Sequence, residues 1–510
     1  MARKGERRLV IVSNRLPVVM EHNDTGWFVR PSSGGLVTAL APVLRDRGGI
    51  WIGWPGTSSE IDLTEPLAIG TRTAGYSLKP VSLTPQEVQN FYFGFANEVI
   101  WPLFHDLQGS CNFDPDYWAT YQEVNFKYAE VTAETAGKGD YIWVHDYHLM
   151  CLGRALRQLG VNSLIGFFLH IPFPPLDIFL KLPWRFQILR ALLEFDLIGL
   201  QTLRDYRNFL QCIRAVIKDV RVQLNGRIAT IRFGERGLRV GAFPISIDYK
   251  AFAREAVSEE VTERSRHIHE ELPKRHIVLG VDRLDYTKGI PHKLDAFRRL
   301  LTQHPELREQ ITLVQVVVPS RETIPKYQDL KMEIERMVGE INGLFTVWGW
   351  APIIYIFRSL DRDELIAYYR ASEIALVTPL KDGMNLVSKE FCASSVEEEC
   401  VLILSEFAGA AAQLQNGALL VNPYDTELVA DAIHRAFSMN RVDRKYRMHK
   451  LRKKIRENDV FHWVDSFLKA AIGRDLHEFP PLEDYLPQVE LDAVSYRGET
   501  AAQDFLQGAS

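Results

Sequence analysis

At 510 residues the chain is too long to close around one hydrophobic core, so two or more domains are expected. Its 46% hydrophobic and 25% charged residues are ordinary for a soluble globular protein. The formal net charge of −5 argues against a general nucleic-acid binder, and no nucleic-acid partner is expected.

The basic start, Met1 to Arg8, is followed only by the short apolar run Leu9-Val10-Ile11-Val12, which is no signal peptide. That run, closed by Ser13-Asn14-Arg15, reads as a buried parallel strand ending in a loop. Ser32-Ser33-Gly34-Gly35-Leu36 is a glycine turn entering a helix, where backbone could approach a phosphate. Trp54, Tyr92 and Trp101 lie in apolar surroundings and read as core aromatics, with a sugar-binding wall as the second reading.

Tyr141-Ile142-Trp143-Val144 is the next strand, and His145-Asp146-Tyr147-His148 follows it directly. The two histidines at i, i+3 lack a nearby Cys or acidic ligand set, so no metal is expected there and Asp146 reads as an acid at a strand tip. An amphipathic segment, Leu152 to Leu159, leads to the strand Leu164 to Leu169, which ends in His170-Ile171-Pro172-Phe173-Pro174, a loop held rigid by its prolines. The most apolar stretch, Leu164 to Leu176, contains His170 and three prolines and cannot span a bilayer, so no membrane partner is expected. Leu197-Ile198-Gly199-Leu200 closes a strand and helix alternation that argues for a doubly wound α/β domain.

After Phe243-Pro244 the pattern restarts, with strands at Ile277 to Val281, Ile311 to Val318, Ile374 to Val377 and Val401 to Leu404. A second α/β domain therefore begins near Ile247, and the expected division is 1–246, 247–477 and a loose tail over 478–510. The last helix is expected to pack back on the first domain. Open α/β sheets bind ligands beyond the carboxyl ends of their strands, which places a cleft between the two domains.

Val281-Asp282-Arg283-Leu284-Asp285-Tyr286-Thr287-Lys288-Gly289 brings two cations into a Gly-containing loop before a helix predicted over Lys293 to Leu301. Orphan N–H groups, the helix dipole and two positive side chains make an anion site suited to a departing diphosphate. A surface Arg–Asp pair is the competing reading. In Thr378 to Glu390, Gly383 permits close backbone approach, and the N–H groups of Asn385, Leu386 and Val387 sit at a helix start. Asp382 and Glu390 are acceptor-only carboxylates suited to sugar and ribose hydroxyls; the bland alternative is an Asp382 N-cap with Glu390 on a solvated face. The basic segment Arg441 to Arg456 reads as a solvated helix face. Five cysteines, odd in number and without a C-x-x-C pair, fit a reducing cytosol better than a disulfide framework or structural zinc.

These blocks together resemble the trehalose-6-phosphate synthases, retaining glycosyltransferases of GT-B fold. The matching pieces are Val12 to Pro17, Ser33 to Leu36, Trp51 to Trp54, Trp143 to Leu149, Phe167 to Pro174, Arg283 to Gly289, Pro319 to Arg321, Leu376 to Leu380, Asp382 to Glu390 and Ser405 to Ala410, between about Leu9 and about Phe467. The resemblance implies that Arg283 and Lys288 hold a donor diphosphate, with Gly34 and Gly35 closing over the nucleotide sugar. It places Leu360 near the nucleobase, the run Asp382, Gly383, Met384, Asn385, Leu386, Val387, Ser388, Lys389 and Glu390 along the donor, and Asp382 with His170 on the transferring glucose. Arg15 and Arg321 clamp the acceptor phosphate, and Trp54, Tyr92, Trp101 and Asp146 surround the acceptor sugar. Asp146, His170, Arg283, Lys288 and Asp382 are thereby the expected catalytic set.

The implied reaction joins UDP-glucose and glucose 6-phosphate into α,α-trehalose 6-phosphate by front-face displacement, without metal or other cofactor, in a cytoplasmic homo-oligomer (dimer or tetramer). Two alternatives stand beside it: a relative using glycerol 3-phosphate, which needs no aromatic wall, and a non-catalytic sugar-phosphate sensor, which should have lost its charged donor residues. A phosphorylase-like enzyme would need a pyridoxal-phosphate lysine and a longer chain. Ala393 to Cys400 is more acidic than the resemblance leads one to expect, and no phosphatase-like domain is expected after the transferase.

Overall fold

The computed structural model describes residues 8–23, 26–31, 35–57, 70–71, 74–272, 275–321, 324–473, 479 and 482–487. Its first half contains β1 (Leu9–Arg15), a separate antiparallel hairpin of β2 (Val18–Asn23) and β3 (Gly26–Pro31), then β4 (Ile50–Trp54) and β5 (Ser77–Pro80). β6 (Tyr141–His145), β7 (Leu164–Phe168) and β8 (Leu197–Leu200) follow, and β9 (Val220–Asn225), β10 (Ile228–Phe233) and β11 (Arg236–Ala242) end this half. Nine of these strands form one sheet in the order β5-β4-β1-β6-β7-β8-β11-β10-β9. It is parallel from β5 through β11, and only the β9–β10–β11 meander is antiparallel. β6 and β8 are buried at every position, as strands covered by helices on both faces must be.

The second half contains β12 (His276–Arg283), β13 (Ile311–Val318), β14 (Ile353–Phe357), β15 (Ile374–Val377), β16 (Val401–Ser405) and β17 (Leu419–Val421). They form an all-parallel sheet in the order β14-β13-β12-β15-β16-β17, a doubly wound arrangement whose order reverses between β12 and β15. The helix expected over Lys293 to Leu301 runs Ile290–Gln303, because Gly289 takes the left-handed conformation that starts it and Pro291 fits its first turn.

The C-terminal helix Val460–Ile472 crosses from the second half to the first sheet. Phe467 stacks on Trp143 with centroids 4.4 Å apart, and Trp463 meets Phe168 edge-on at 5.0 Å. Arg239 fixes its end by donating to the carbonyls of Ala470 and Gly473 at 2.6 and 2.7 Å. Residues 482–487, expected in a loose tail, instead lie against the body: Asp484 pairs with Arg207 at 2.6 Å and Glu483 with Lys454 at 2.8 Å. Among the described residues no helix is long and apolar enough to cross a membrane.

Candidate functional site

Eight of the expected site residues sit at or just past the carboxyl ends of parallel strands, and the two sets face each other. From the first sheet come Arg15 (β1), Trp54 (β4), Asp146 (β6) and His170 (β7); from the second come Arg283 (β12), Arg321 (β13), Leu360 (β14) and Asp382 (β15). Gly383 shows how closely the halves meet: a Cβ there would lie 2.2 Å from the carbonyl oxygen of His170, so only glycine fits.

Arg15 is the last residue of β1 rather than a loop residue, and the pairing of β1 with β4 slips between Val12 and Arg15 so that Arg15 stands opposite Trp54. Such a slip re-aims a side chain at a strand end, and the Arg15 guanidinium lies 4.5 Å over the Trp54 ring. Tyr128 ties the two strand ends together, donating to the Asn14 carbonyl at 2.7 Å and accepting from the Trp54 N–H at 3.1 Å.

Tyr92 and Trp101 stand on and just beyond a π-helix, Val88–Ile100, a rare conformation that recurs at functional sites. Tyr92 is 6.2 Å from Trp54 and stacks on His148 at 5.9 Å. Burial pushes its phenol up, but Arg321, Arg15 and Arg283 outweigh burial and the net direction is down. Trp101 carries the Arg321 guanidinium over its face at 4.5 Å and that of Arg283 at 5.9 Å. Its Nε1 is buried without a partner among the described residues. Trp54 and Trp101 are therefore buried, as core aromatics are, Tyr92 is half-buried, and three arginines converge on the three rings.

Arg321 is the best-held of these cations. It donates to the Tyr327 hydroxyl at 2.6 Å and the Tyr147 hydroxyl at 3.4 Å, and pairs with Asp285 at 3.6 Å. Asp285, Tyr147 and Tyr327 were not singled out from the sequence. Asp285 lay inside a block already read for its cations, and a tyrosine six residues past Arg321 carries no motif. Arg283, by contrast, is exposed into the cleft, and among the described residues no carboxylate forms an ion pair with it. The expected surface Arg–Asp alternative does not hold, since Asp282 pairs with buried Lys293 at 2.6 Å.

Lys288 and Asp382 meet at 2.6 Å. Asp382 also accepts from Asn385 Nδ2 at 3.2 Å. The N-cap of the helix Leu386–Ser394 is Asn385, whose side chain accepts from the Ser388 N–H at 3.0 Å, so the Asp382 cap is corrected. This consumes the Ser388 N–H and leaves those of Leu386 and Val387 in the open first turn. Glu390 is half-buried, taking a hydrogen bond from the Tyr369 hydroxyl at 2.9 Å, so it does not lie on a solvated face. Met384 is buried, and Leu360, Leu386 and Val387 are half-buried.

Lys389 departs from its expected place. It points away from the loop, fully buried, and donates to the Ile245 carbonyl and to Gln413 Oε1, both at 2.7 Å. Burial drops its ammonium to about 7. Gly35 is the first residue of the helix Gly35–Arg47, and Gly34 lies outside the described residues.

Asp146 adopts φ +76°, an uncommon conformation for a non-glycine residue. Its carboxylate accepts from the His170 N–H at 3.2 Å, and burial lifts its carboxyl to about 6 against the pull of that bond, Arg283 and Arg321. His170 contacts His145 at 3.1 Å, and burial lowers its imidazole to about 3, so it is neutral at physiological pH. The His, Cys, Asp and Glu side chains close enough to share one ion, among the described residues, are His304, Glu306 and His434. They lie at the far end of the helix that begins after Gly289, roughly 21 Å from the loop.

Two facing doubly wound sheets with converging cations at their carboxyl edges define a GT-B glycosyltransferase. Residues 7–472 match the model of glycosyltransferase family 20, and the chain belongs to that family. It is 42% identical over 473 residues to the trehalose-6-phosphate synthase of Mycobacterium marinum, covering 91% of this chain and 94% of that one. The Mycobacterium tuberculosis synthase is likewise 42% identical, over 481 residues, covering 92% and 95%. Among solved structures, the UDP-forming α,α-trehalose-phosphate synthase of Burkholderia xenovorans in complex with glucose 6-phosphate superposes with a TM-score of 0.83 at 35% identity, covering 91% of this chain and 100% of that one. The E. coli structure bound with UDP-2-fluoro glucose gives 0.81 at 34% identity, covering 93% and 100%.

Proposed function

We propose that this chain transfers glucose from UDP-glucose to glucose 6-phosphate, with retention, giving α,α-trehalose 6-phosphate. The observation that carries it is the convergence of Arg15, Arg283 and Arg321 on the aromatic wall of Trp54, Tyr92 and Trp101. Arg283 and Lys288 take the donor diphosphate, and the free N–H groups of Leu386 and Val387 add the helix-start field. Asp382 and His170 hold the transferring glucose, and Glu390 takes the ribose. Arg15 and Arg321 take the acceptor phosphate, with Asp146 on the acceptor sugar. The aromatic wall, and relatives named above as trehalose-phosphate synthases, favour glucose 6-phosphate over glycerol 3-phosphate. The charged donor residues speak against a non-catalytic sensor.

Retention by front-face displacement suits the available groups. Asp382 is engaged by Lys288 rather than standing free as a nucleophile. The departing phosphate oxygen takes the acceptor hydroxyl proton, while Arg283 and Lys288 stabilise the charge that develops on the diphosphate. Two fixed cations supply what a divalent ion supplies elsewhere, so turnover survives EDTA. The five cysteines are free, which supports a reducing, cytoplasmic setting. The proposed division at 246/247 is supported by the change of sheet between β11 and β12.

The deciding experiment offers glucose 6-phosphate and glycerol 3-phosphate in parallel against UDP-, ADP- and GDP-glucose, and reads nucleotide release. UDP release dependent on glucose 6-phosphate is expected. Release only with glycerol 3-phosphate, or with neither, overturns the assignment.

A further inference from the structure

A cavity of about 150 Å³ lies where the two halves and the C-terminal helices meet. Its lining includes Gln201, Arg227, Gln413, Lys454, His462 and Glu483. Arg227 follows the left-handed Gly226 in the turn between β9 and β10 and is only 9% exposed. Its guanidinium is flanked by Phe243 at 5.8 Å and Phe479 at 4.8 Å, and its Nε is buried without a hydrogen-bond partner. Among the described residues no carboxylate pairs with it. The two rings offer the guanidinium no hydrogen-bond acceptor for that Nε–H, and buried charged donors are ordinarily paired.

The rest of the lining is suited to an anion. Lys454 and Glu483 neutralise each other at 2.8 Å, so the Arg227 guanidinium is the unbalanced charge of the lining, with His462 beside it. Burial drops Arg227 to about 10. The volume holds about five water molecules, enough for a tetrahedral oxyanion and too little for a nucleotide sugar. Two side chains connect this cavity to the site already described. Gln201 accepts from the Ile245 N–H at 3.0 Å and reaches the His170 carbonyl at 3.5 Å, and Gln413 receives Lys389 at 2.7 Å.

We propose that this cavity is a second, non-catalytic anion site that binds a phosphate group, with Arg227 as its principal ligand. The group arrives as inorganic phosphate or on a small phosphate monoester such as phosphoglycolate. It seats against the Arg227 N–H groups between Phe243 and Phe479, with Lys454 and His462 at its rim.

The test is isothermal titration of inorganic phosphate, and separately of phosphoglycolate, into the full chain saturated with UDP and glucose 6-phosphate. Wild type is expected to show one further saturable phosphate, and Arg227→Met to weaken it at least tenfold while leaving Arg15, Arg283 and Arg321 untouched. A tighter fit for one of the two anions identifies the form that is bound. Absence of saturable binding in wild type, or equal binding in Arg227→Met, overturns the proposal. Should Arg227→Met fail to fold, Arg227→Lys takes its place, because it keeps the charge and loses the fork; undiminished affinity there also overturns it. Scoring the difference between variants keeps this outcome separate from the assignment of the catalytic cleft.

Discussion

Lys288 and Asp382, ninety-four positions apart, form one half-buried ion pair of 2.6 Å at the carboxyl edge of the second sheet. Burial alone would raise the Asp382 carboxyl, and Lys288 outweighs it, holding the group below the ordinary carboxylate range. A folded value below the unfolded one means that the pair's stabilisation is present above about pH 4 and lost as pH falls further. Removing either partner strands a charge, at a cost of about 3 kcal/mol. Lys288→Met and Asp382→Leu should each lower stability and abolish turnover, whereas the double variant should recover stability and remain inactive. Urea unfolding of the four proteins reads this directly, and additive losses in the double variant contradict the coupling.

The three arginines of the cleft differ in how they are held, and their replacement should separate accordingly. Arg283 is exposed and has no ion-pair partner among the described residues, so Arg283→Ala should leave stability intact and cut kcat a hundredfold or more, a loss of about 3 kcal/mol in transition-state stabilisation. Arg15→Ala should raise KM for the sugar phosphate without weakening UDP-glucose binding. Arg321→Ala should do both kinds of harm, because buried Asp285 loses its guanidinium partner. Steady-state kinetics beside chemical denaturation decides among these, and an Arg283→Ala enzyme with unchanged turnover ends the diphosphate assignment.

The fold was legible because parallel strands covered on both faces appear as uninterrupted apolar runs. Eight strands stand out in the sequence as such runs, and β1 and β12 extend beyond theirs, to Arg15 and Arg283, because polar residues at a strand end still pair. The antiparallel β9–β11 meander and the hairpin β2–β3 went unread, since their strands are half-polar. The site's charged groups were visible as motif residues, but the second layer was not. Tyr128, Tyr147, Tyr327 and Asp285 reach the cleft through tertiary contacts that no local spacing encodes. The acidic segment is similar: Glu398 and Glu399 lie on the basic helix Arg441–Glu457, with Arg452 3.2 Å from Glu398 and Lys445 3.4 Å from Glu399. Two segments some forty residues apart, each unexplained alone, neutralise each other.

Lys389 offers a pH test of its relocation from donor ligand to buried tether. Its folded value of about 7 lies below the 10.5 of an ordinary lysine. The unfolded chain therefore holds more protons between those values, and stability rises with pH across that window. The slope from this one group is about 1.4 kcal/mol per pH unit between pH 7 and 10. Urea midpoints of wild type should climb over that range, and those of Lys389→Met should climb less by that amount. Donor KM should be little changed in the variant at pH 8. A large rise in donor KM with an unaltered pH slope returns Lys389 to the donor site.

Asp146 carries the opposite sign. Its carboxyl titrates near 6 in the folded chain against 3.8 unfolded, because burial outweighs the bonds from Tyr147 and His170 and the pull of Arg283 and Arg321. A raised folded value gives a contribution fully present below about pH 4 and lost as pH rises through 6. The ionised form at neutral pH thus costs on the order of 3 kcal/mol of folding stability, strain kept at a site where a charged acceptor-side group is wanted. Asp146→Asn removes the ionisation, keeps an acceptor for the His170 N–H and tolerates φ +76°. The variant should be more stable than wild type at pH 8, should match it near pH 4, and should lose turnover at pH 8. Equal stability at pH 8 would show that the carboxylate is solvated after all, and full activity would remove Asp146 from the acceptor pocket.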